Sequence, residues 1–334
     1  MKAAVRDRYG SVDVVEVREI ERPSPSGDEV LVRVEAASVN RADLDGLTPK
    51  PSIVRLFLGL RRPRNPRLGC DVAGVVEAVG SAATRFRPGD RVFADLYPFG
   101  SGAFAEAVCA PERAFAPVPE AMSFETAATL PHSAILALQG LRLRNGRAVG
   151  PGDRVLIVGA SGNVGPFAVQ IAKSRGAEVT GVTSTAKLDF VRSLGADHVV
   201  DYTTTDYLAT GERYDWILDV EARHPLLRSR RALRPKGVYV TLGGTNATLL
   251  DALLVGTVVS LATDKSIGLM LWWRPFAAED VATLTELVAA GRLDPKIDRR
   301  FPLDDVVEAL RYVDEGRATG KVIVIPATAA RSEV

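Results

Sequence analysis

Gly159, Gly162 and Gly165 stand three residues apart in the run VLIVGASGNVGPFAVQIAK. An apolar strand-like segment enters them and an amphipathic helical segment leaves. Glycine at such a junction lets backbone N–H groups come close to an anion, and the helix N-terminus adds a partial positive charge. A glycine triplet alone is a weak signal. Here RVLIV precedes it, a helix follows it, and a second strand lies about twenty residues on, which together make the fingerprint of a dinucleotide pyrophosphate site. A tight strand–helix connection without a ligand is the competing reading, and the β-α-β context disfavours it.

The second strand, EVTGV, runs on into Thr183, Ser184, Thr185, Ala186 and Lys187. An NAD site places Asp or Glu at that strand end to hold the ribose hydroxyls. This segment offers hydroxyls and a lysine, which suit a 2′-phosphate. NADP(H) is therefore the expected cofactor. Ser184 or Thr185 can equally cap the helix that follows, and the two roles use the same exposed helix start.

The elements that must position these residues follow from periodicity. EVLVRVEAA alternates, with Val30, Val32 and Val34 on one face and Leu31, Arg33 and Glu35 on the other. GVVEAVG and RVFADLY continue the pattern, and RPGD before the latter supplies a turn. Residues 1 to about 115 thus read as a barrel-like all-β unit. Helical spacing predicts a helix over 125–141. From RVLIVGA onward, strand runs alternate with helix-length segments, which means a parallel sheet covered on both faces. The C-terminal FPLDDVVEALRYVDEGRATGKVIVIP reads as helix, turn and strand returning to the first unit.

At 334 residues the chain is long enough for two domains. A net charge of +1 gives no field that favours nucleic acid or an anionic membrane. The two cysteines, Cys70 and Cys109, exclude a disulfide framework and a four-cysteine zinc site, and they fit a reducing, cytoplasmic setting. The N-terminus lacks the apolar core of a signal peptide, and Asp251, Asp264 and Lys265 interrupt the longest apolar region.

VEAASVNRADL, GCDVAGVVEAVG, RPGDRVFA, GAFAEAV, AATLPHSAILALQGL, GASGNVGPFAVQIAK, SLGADHVVDY and GKVIV run nearly end to end through the chain. In them the chain resembles the medium-chain dehydrogenase/reductase superfamily, in its zinc-free quinone oxidoreductase-like and enoyl reductase-like branch. The resemblance implies an α/β fold: a GroES-like β-barrel catalytic domain over 1–120, completed by 300–334, and a Rossmann parallel-sheet cofactor domain over 121–299. It implies an active site in the cleft between them, with hydride passing from the nicotinamide to a quinone or to the β-carbon of an enone. It places the pyrophosphate on Ser161, Gly162, Asn163, Val164 and Gly165, and the 2′-phosphate on Ser184 and Lys187. Tyr202 then lies near the adenosine phosphate, and Leu242 and Gly243 lie beside the nicotinamide. Asn40 falls close to nicotinamide and substrate; with Asp43 and Tyr97 it makes the candidate catalytic set. A small-molecule substrate and a homodimer are also implied.

Zinc members of the superfamily use three ligands. The motifs put Asn40 where the first stands, Cys70 at the second and His132 roughly at the third. Asn40 is a poor zinc ligand, and Asp43 or Asp71 would have to complete a set, so no metal is expected. Cys70 then reads as a small buried residue, and His132 as a hydrogen-bonded or pocket-lining one. Without zinc, reduction of a conjugated double bond is the less demanding chemistry, because the carbonyl is polarised only by hydrogen bonds and the nicotinamide. An alcohol dehydrogenase or carbonyl reductase, and a non-catalytic NADPH-binding protein, are the alternatives. Leu136 makes the site greasier than the threonine of many relatives. The loop 49–67 is a candidate pocket lip for a large apolar or anionic substrate, and the pair Trp272–Trp273 a candidate substrate wall or dimer face, with a solvated loop and ordinary packing as the simpler readings.

Overall fold

The computed structural model describes residues 1–49 and 59–326. Residues 50–58 of the loop 49–67 therefore lie outside the described residues. The chain forms two compact units, one of Met1–Ile135, Pro275–Ala289 and Pro295–Val334, the other of Leu136–Arg274 and Ala290–Asp294. The first boundary falls after Ile135 rather than after residue 120, because the helix Phe124–Thr129 lies on barrel strands.

In the first unit β1 (Lys2–Val5) pairs antiparallel with β2 (Glu16–Glu19), and the long strand β3 (Glu29–Val39) is central. It pairs antiparallel with β4 (Asp71–Val79), β6 (Ala107–Pro111) and β15 (Lys321–Ile325). Further strands, β5 (Arg91–Asp95), β7 (Phe115–Pro117) and β14 (Ile297–Pro302), complete a seven-stranded sheet, so the C-terminal strands are part of this barrel. Val30, Val32 and Val34, which the alternation placed together on one face, are sealed in its core. The turn before β5 is made by Gly89 at φ +96°.

The second unit is a parallel sheet in the order β10-β9-β8-β11-β12-β13, with β8 at Arg154–Val158, β9 at Glu178–Thr183 and β10 at His198–Asp201. β11 spans Tyr214–Asp219, β12 Leu233–Thr241 and β13 Ser266–Leu269. Strand order reverses between β8 and β11, and in such sheets ligands bind at the C-terminal strand ends beside that reversal.

The helix expected over 125–141 is two helices, Phe124–Thr129 and Ser133–Gly140. Pro131 lies between them and has no N–H to donate, so it cannot continue the hydrogen-bond ladder of the first helix. Among the described residues no helix is long and apolar enough to cross a membrane.

Candidate functional site

β8 ends at Val158 and the helix Gly165–Ser174 begins seven residues later, so residues 159–164 form the turn. A Cβ on Gly165 would stand 2.2 Å from the Gly159 carbonyl oxygen, so the strand–helix approach itself demands glycine there. Gly162 differs: within 4 Å a Cβ would meet only that same oxygen, at 3.6 Å. The fold does not need a bare backbone at 162. An anion seated against the turn does, and the chain therefore fits a dinucleotide pyrophosphate at this place.

Ser161 is buried, and its hydroxyl lies 2.7 Å from the Thr183 hydroxyl, joining the turn to the end of β9. Beyond Thr183, Ser184 caps a short turn over Thr185–Lys187 in extended conformation, without a side-chain cap bond. Asn163 and Lys187 are partly exposed and Val164 is buried. Tyr202 is exposed and its N–H donates to the Thr183 carbonyl at 3.0 Å. Leu242 and Gly243 follow β12; the Leu242 N–H donates to the Asp219 carbonyl at 3.0 Å, and the Gly243 oxygen accepts from the Thr241 hydroxyl at 2.7 Å. All of these positions lie along the C-terminal edge of the sheet.

Two acids at that edge escaped the sequence reading. Asp201 ends β10, and the Thr185 hydroxyl donates to it at 2.5 Å. That hydrogen bond and those from Thr203 hold its carboxyl below the ordinary range. The end of β9 carries no carboxylate, and β10 supplies one to Thr185 from sixteen residues on. Asp219 ends β11 at the strand reversal. It is buried, and the Tyr239 hydroxyl donates to one of its oxygens at 2.9 Å. Burial pushes its carboxyl up to about 6.

Trp272 and Arg274 are tied to Gln139. Its amide nitrogen donates to the Arg274 carbonyl at 2.8 Å, its amide oxygen accepts the Arg274 N–H at 2.9 Å, and its backbone carbonyl accepts from the Trp272 indole at 3.4 Å.

In the first unit Asn40 and Asp43 come together, and they enter a larger buried polar group. Asn40 ends β3 and opens the helix Arg41–Leu47, where its N–H donates to the Asp43 carboxylate at 2.8 Å. Its amide oxygen accepts from Lys321 at 2.7 Å and Ser133 at 2.8 Å, and its amide nitrogen donates to Asp71 at 2.9 Å. Asp71 also takes the Ser38 hydroxyl at 3.0 Å and the His132 N–H at 3.0 Å. The Lys321 ammonium lies 3.6 Å from Asp71, and both residues are sealed. Burial pushes the Asp71 carboxyl up and the Lys321 ammonium down, and their mutual attraction resists both.

The expected metal positions are otherwise engaged. The Cys70 thiol donates to Asp43 at 3.1 Å, and burial, reinforced by Asp43, Asp95 and Asp71, pushes its titration well up. His132 Nδ1 lies 2.9 Å from Asp95. Among the described residues, no group of three or more His, Cys, Asp or Glu side chains is arranged to hold a metal ion. Tyr97 is half exposed; its N–H donates to Asp95 at 2.9 Å and its ring centre is 5.6 Å from that of His132. Lys321, Asp95 and Ser133 were not singled out in the sequence. The GKVIV motif contains Lys321, and only the pairing of β15 with β3 brings it to Asn40.

Comparison with known proteins adds the family. The alcohol dehydrogenase GroES-like domain model matches residues 26–120, and the zinc-binding dehydrogenase model matches residues 194–324. A chloroplast quinone-oxidoreductase of Triphysaria versicolor is 32% identical, over 98% of each chain. An Arabidopsis thaliana NADPH-dependent alkenal/one oxidoreductase is 30% identical, over 98% of this chain and 80% of that one. The solved quinone oxidoreductase of Coxiella burnetii superposes with a TM-score of 0.85 at 28% identity, over 97% of this chain and 99% of that one.

Proposed function

We propose, for a chain that belongs to the medium-chain dehydrogenase/reductase superfamily and to its quinone oxidoreductase-like branch, the reduction of quinones or α,β-unsaturated carbonyls with NADPH and without zinc. The observation that carries the reading is the open backbone at Gly162 in a turn whose other glycine, Gly165, the fold already requires. Reduced nicotinamide supplies a hydride when bound. Ser161, Gly162, Asn163, Val164 and Gly165 hold the pyrophosphate, and Tyr202, Leu242 and Gly243 line the same cofactor. Ser184 and Lys187 hold the 2′-phosphate, while Thr185 is turned to Asp201.

Asn40 and Asp43 form the rigid floor of the catalytic side, and Tyr97 is its exposed member. The zinc-free reading is supported by Asn40, a poor ligand whose amide oxygen is taken by Lys321 and Ser133, and by the Cys70 thiol bonded to Asp43. Dimerisation is supported by the second unit's edge strand β13 and the helix Asn246–Ala262 beside it, whose Leu250, Leu254, Val258 and Leu261 form an exposed stripe. Cysteine usage supports a cytoplasmic setting. The test is steady-state oxidation of NADPH, with NADH as control, against a quinone, a small enone and an aldehyde. Turnover of quinone or enone with NADPH favoured is expected. Turnover of the aldehyde alone, and only with added zinc, would overturn the reading.

A further inference from the structure

Arg274 and Asp294 are the last residues of the second unit at the two places where the chain leaves it, and each is followed by a proline that opens a return to the first unit. At both places a glutamine side chain of the second unit takes hold of the residue before the proline. Gln139, on the helix Ser133–Gly140, donates from its amide nitrogen to the Arg274 carbonyl at 2.8 Å and accepts the Arg274 N–H at 2.9 Å. Gln170, on the helix Gly165–Ser174, repeats the pattern on Asp294: its amide nitrogen donates to the carbonyl at 3.0 Å, and its amide oxygen accepts the N–H at 2.8 Å. An amide bound to both the N–H and the C=O of one residue makes the two-bond pairing of facing residues in antiparallel strands, and it restrains that residue's φ and ψ together. The residue before a proline favours the extended backbone that such pairing needs.

The residue after each proline is fixed as well, on the first unit. Phe276 sets its ring edge-on against Phe93, with centroids 5.2 Å apart and planes at 85°. It holds φ +51°, a region that bulky residues seldom adopt. Such strain collects at functional segments and persists only where the surroundings enforce it. Lys296 gives its carbonyl to the Lys321 N–H at 2.8 Å, and a Cβ on Gly320 would stand 2.5 Å from that oxygen. A single proline thus separates the fixed residues at either exit. Its ring locks φ at about −65° and it has no N–H to bond, which leaves ψ as its one free backbone torsion. The first entry to the second unit is built differently. Between Ile135 and Leu136 the chain passes inside an unbroken helix, which cannot bend without losing hydrogen bonds.

We propose that the two exits are swivels: rotation of one unit against the other is taken up at the ψ torsions of Pro275 and Pro295, and the Gln139 and Gln170 amides keep that rotation out of the second unit. Opening either clasp lets the turn spread into the segments that the glutamines hold, residues 272–274 and 290–294.

The full chain without cofactor serves for the test, so its outcome does not depend on the reductase reading. By NMR, the Arg274 and Asp294 amides should exchange slowly, although both residues are exposed. Gln139→Met should speed the first and Gln170→Met the second on the order of tenfold, the factor that one lost hydrogen bond of ordinary strength gives. The strand amides of β8 and β11 should keep their protection. Spin labels at Arg87→Cys and Asp189→Cys, one in each unit and on side chains 87% and 97% exposed, report the spread of inter-unit distances by double electron–electron resonance. Cys70 is buried and stays unlabelled, and Cys109 would be replaced by Ala. Pro275→Gly with Pro295→Gly, which frees φ at both swivels, should broaden that spread, and so should Gln139→Met with Gln170→Met. Pro119→Gly, inside the first unit, should leave it as in the wild type. Gln139 is sealed whereas Gln170 is only partly buried, so Gln170→Met alone carries the test at the second exit if the double variant melts early. Unprotected Arg274 and Asp294 amides in the wild type, or a spread that the exit glycines leave unchanged, overturns the proposal. So does an unchanged spread once the clasps are open and the two amides exchange freely.

Discussion

At the scale of single residues, the first unit holds a buried cation, Lys321, among carboxylates it only partly neutralises. Removing one partner of a buried pair leaves the other charge uncompensated, at a cost of about 3–5 kcal/mol. Lys321→Met should therefore lower the melting temperature by several degrees, and Lys321→Arg should not rescue it, because the cavity fits a point ammonium between Asn40 and Ser133. Differential scanning calorimetry reads both. Asp219 makes a different case. Its carboxyl is raised to about 6, so the folded state binds a proton that the unfolded state has already released; that stability is present below about pH 4 and is lost as pH rises through 6. Asp219→Asn keeps an acceptor for Tyr239 and removes the buried charge. It should be more stable than wild type at pH 8 by roughly 2–3 kcal/mol, the equivalent of about two pKa units, and the gap should close at pH 4. Parallel thermal melts across that range would expose a gap that stays constant, which contradicts the assignment.

At the scale of elements, the β8 turn separates two roles for glycine. Gly162→Ala should melt like wild type yet bind NADPH at least about tenfold more weakly, about 1.4 kcal/mol. Gly165→Ala should destabilise the second unit by about 1–3 kcal/mol, because its Cβ would clash with the Gly159 carbonyl. Titration calorimetry and melting curves on the two variants distinguish these outcomes. At the ends of β9 and β10, Asp201→Asn should raise the NADPH-to-NADH ratio of kcat/KM several-fold by removing a negative charge beside Thr185, and Lys187→Glu should invert it. The reach of sequence reasoning is visible in the same elements. The alternation in β3 and the apolar runs of the second unit were legible because local periodicity follows burial. The break at Pro131 was passed over, because apolar residues at helical spacing run on both sides of it. Asp201 and Lys321 were not legible as site residues: each reaches its partner only through strand pairing, β10 on β9 and β15 on β3, and pairing partners are not written in local spacing.

At the scale of the whole molecule, each of the two units carries its own polar feature: a glycine turn at the sheet edge in one, and the buried group around Asp71 and Lys321 in the other. Family membership was legible because its motifs run nearly end to end, whereas the substrate was not, since the stretches 44–67 and 245–275 carry no spacing code. The stripe on the helix Asn246–Ala262 belongs to this scale. Leu254→Glu with Leu261→Glu should shift the sedimentation coefficient from dimer to monomer without changing the melting of the second unit; a coefficient unchanged from wild type contradicts the dimer. The central claim is hydride transfer to a conjugated carbon, and label tracing tests it most directly. NADPH carrying deuterium at the transferable position would be turned over with an enone by metal-stripped protein, and the product examined by NMR. The account requires deuterium on the β-carbon, with the carbonyl intact. Deuterium on a carbinol carbon instead, appearing only when zinc is returned, would contradict it.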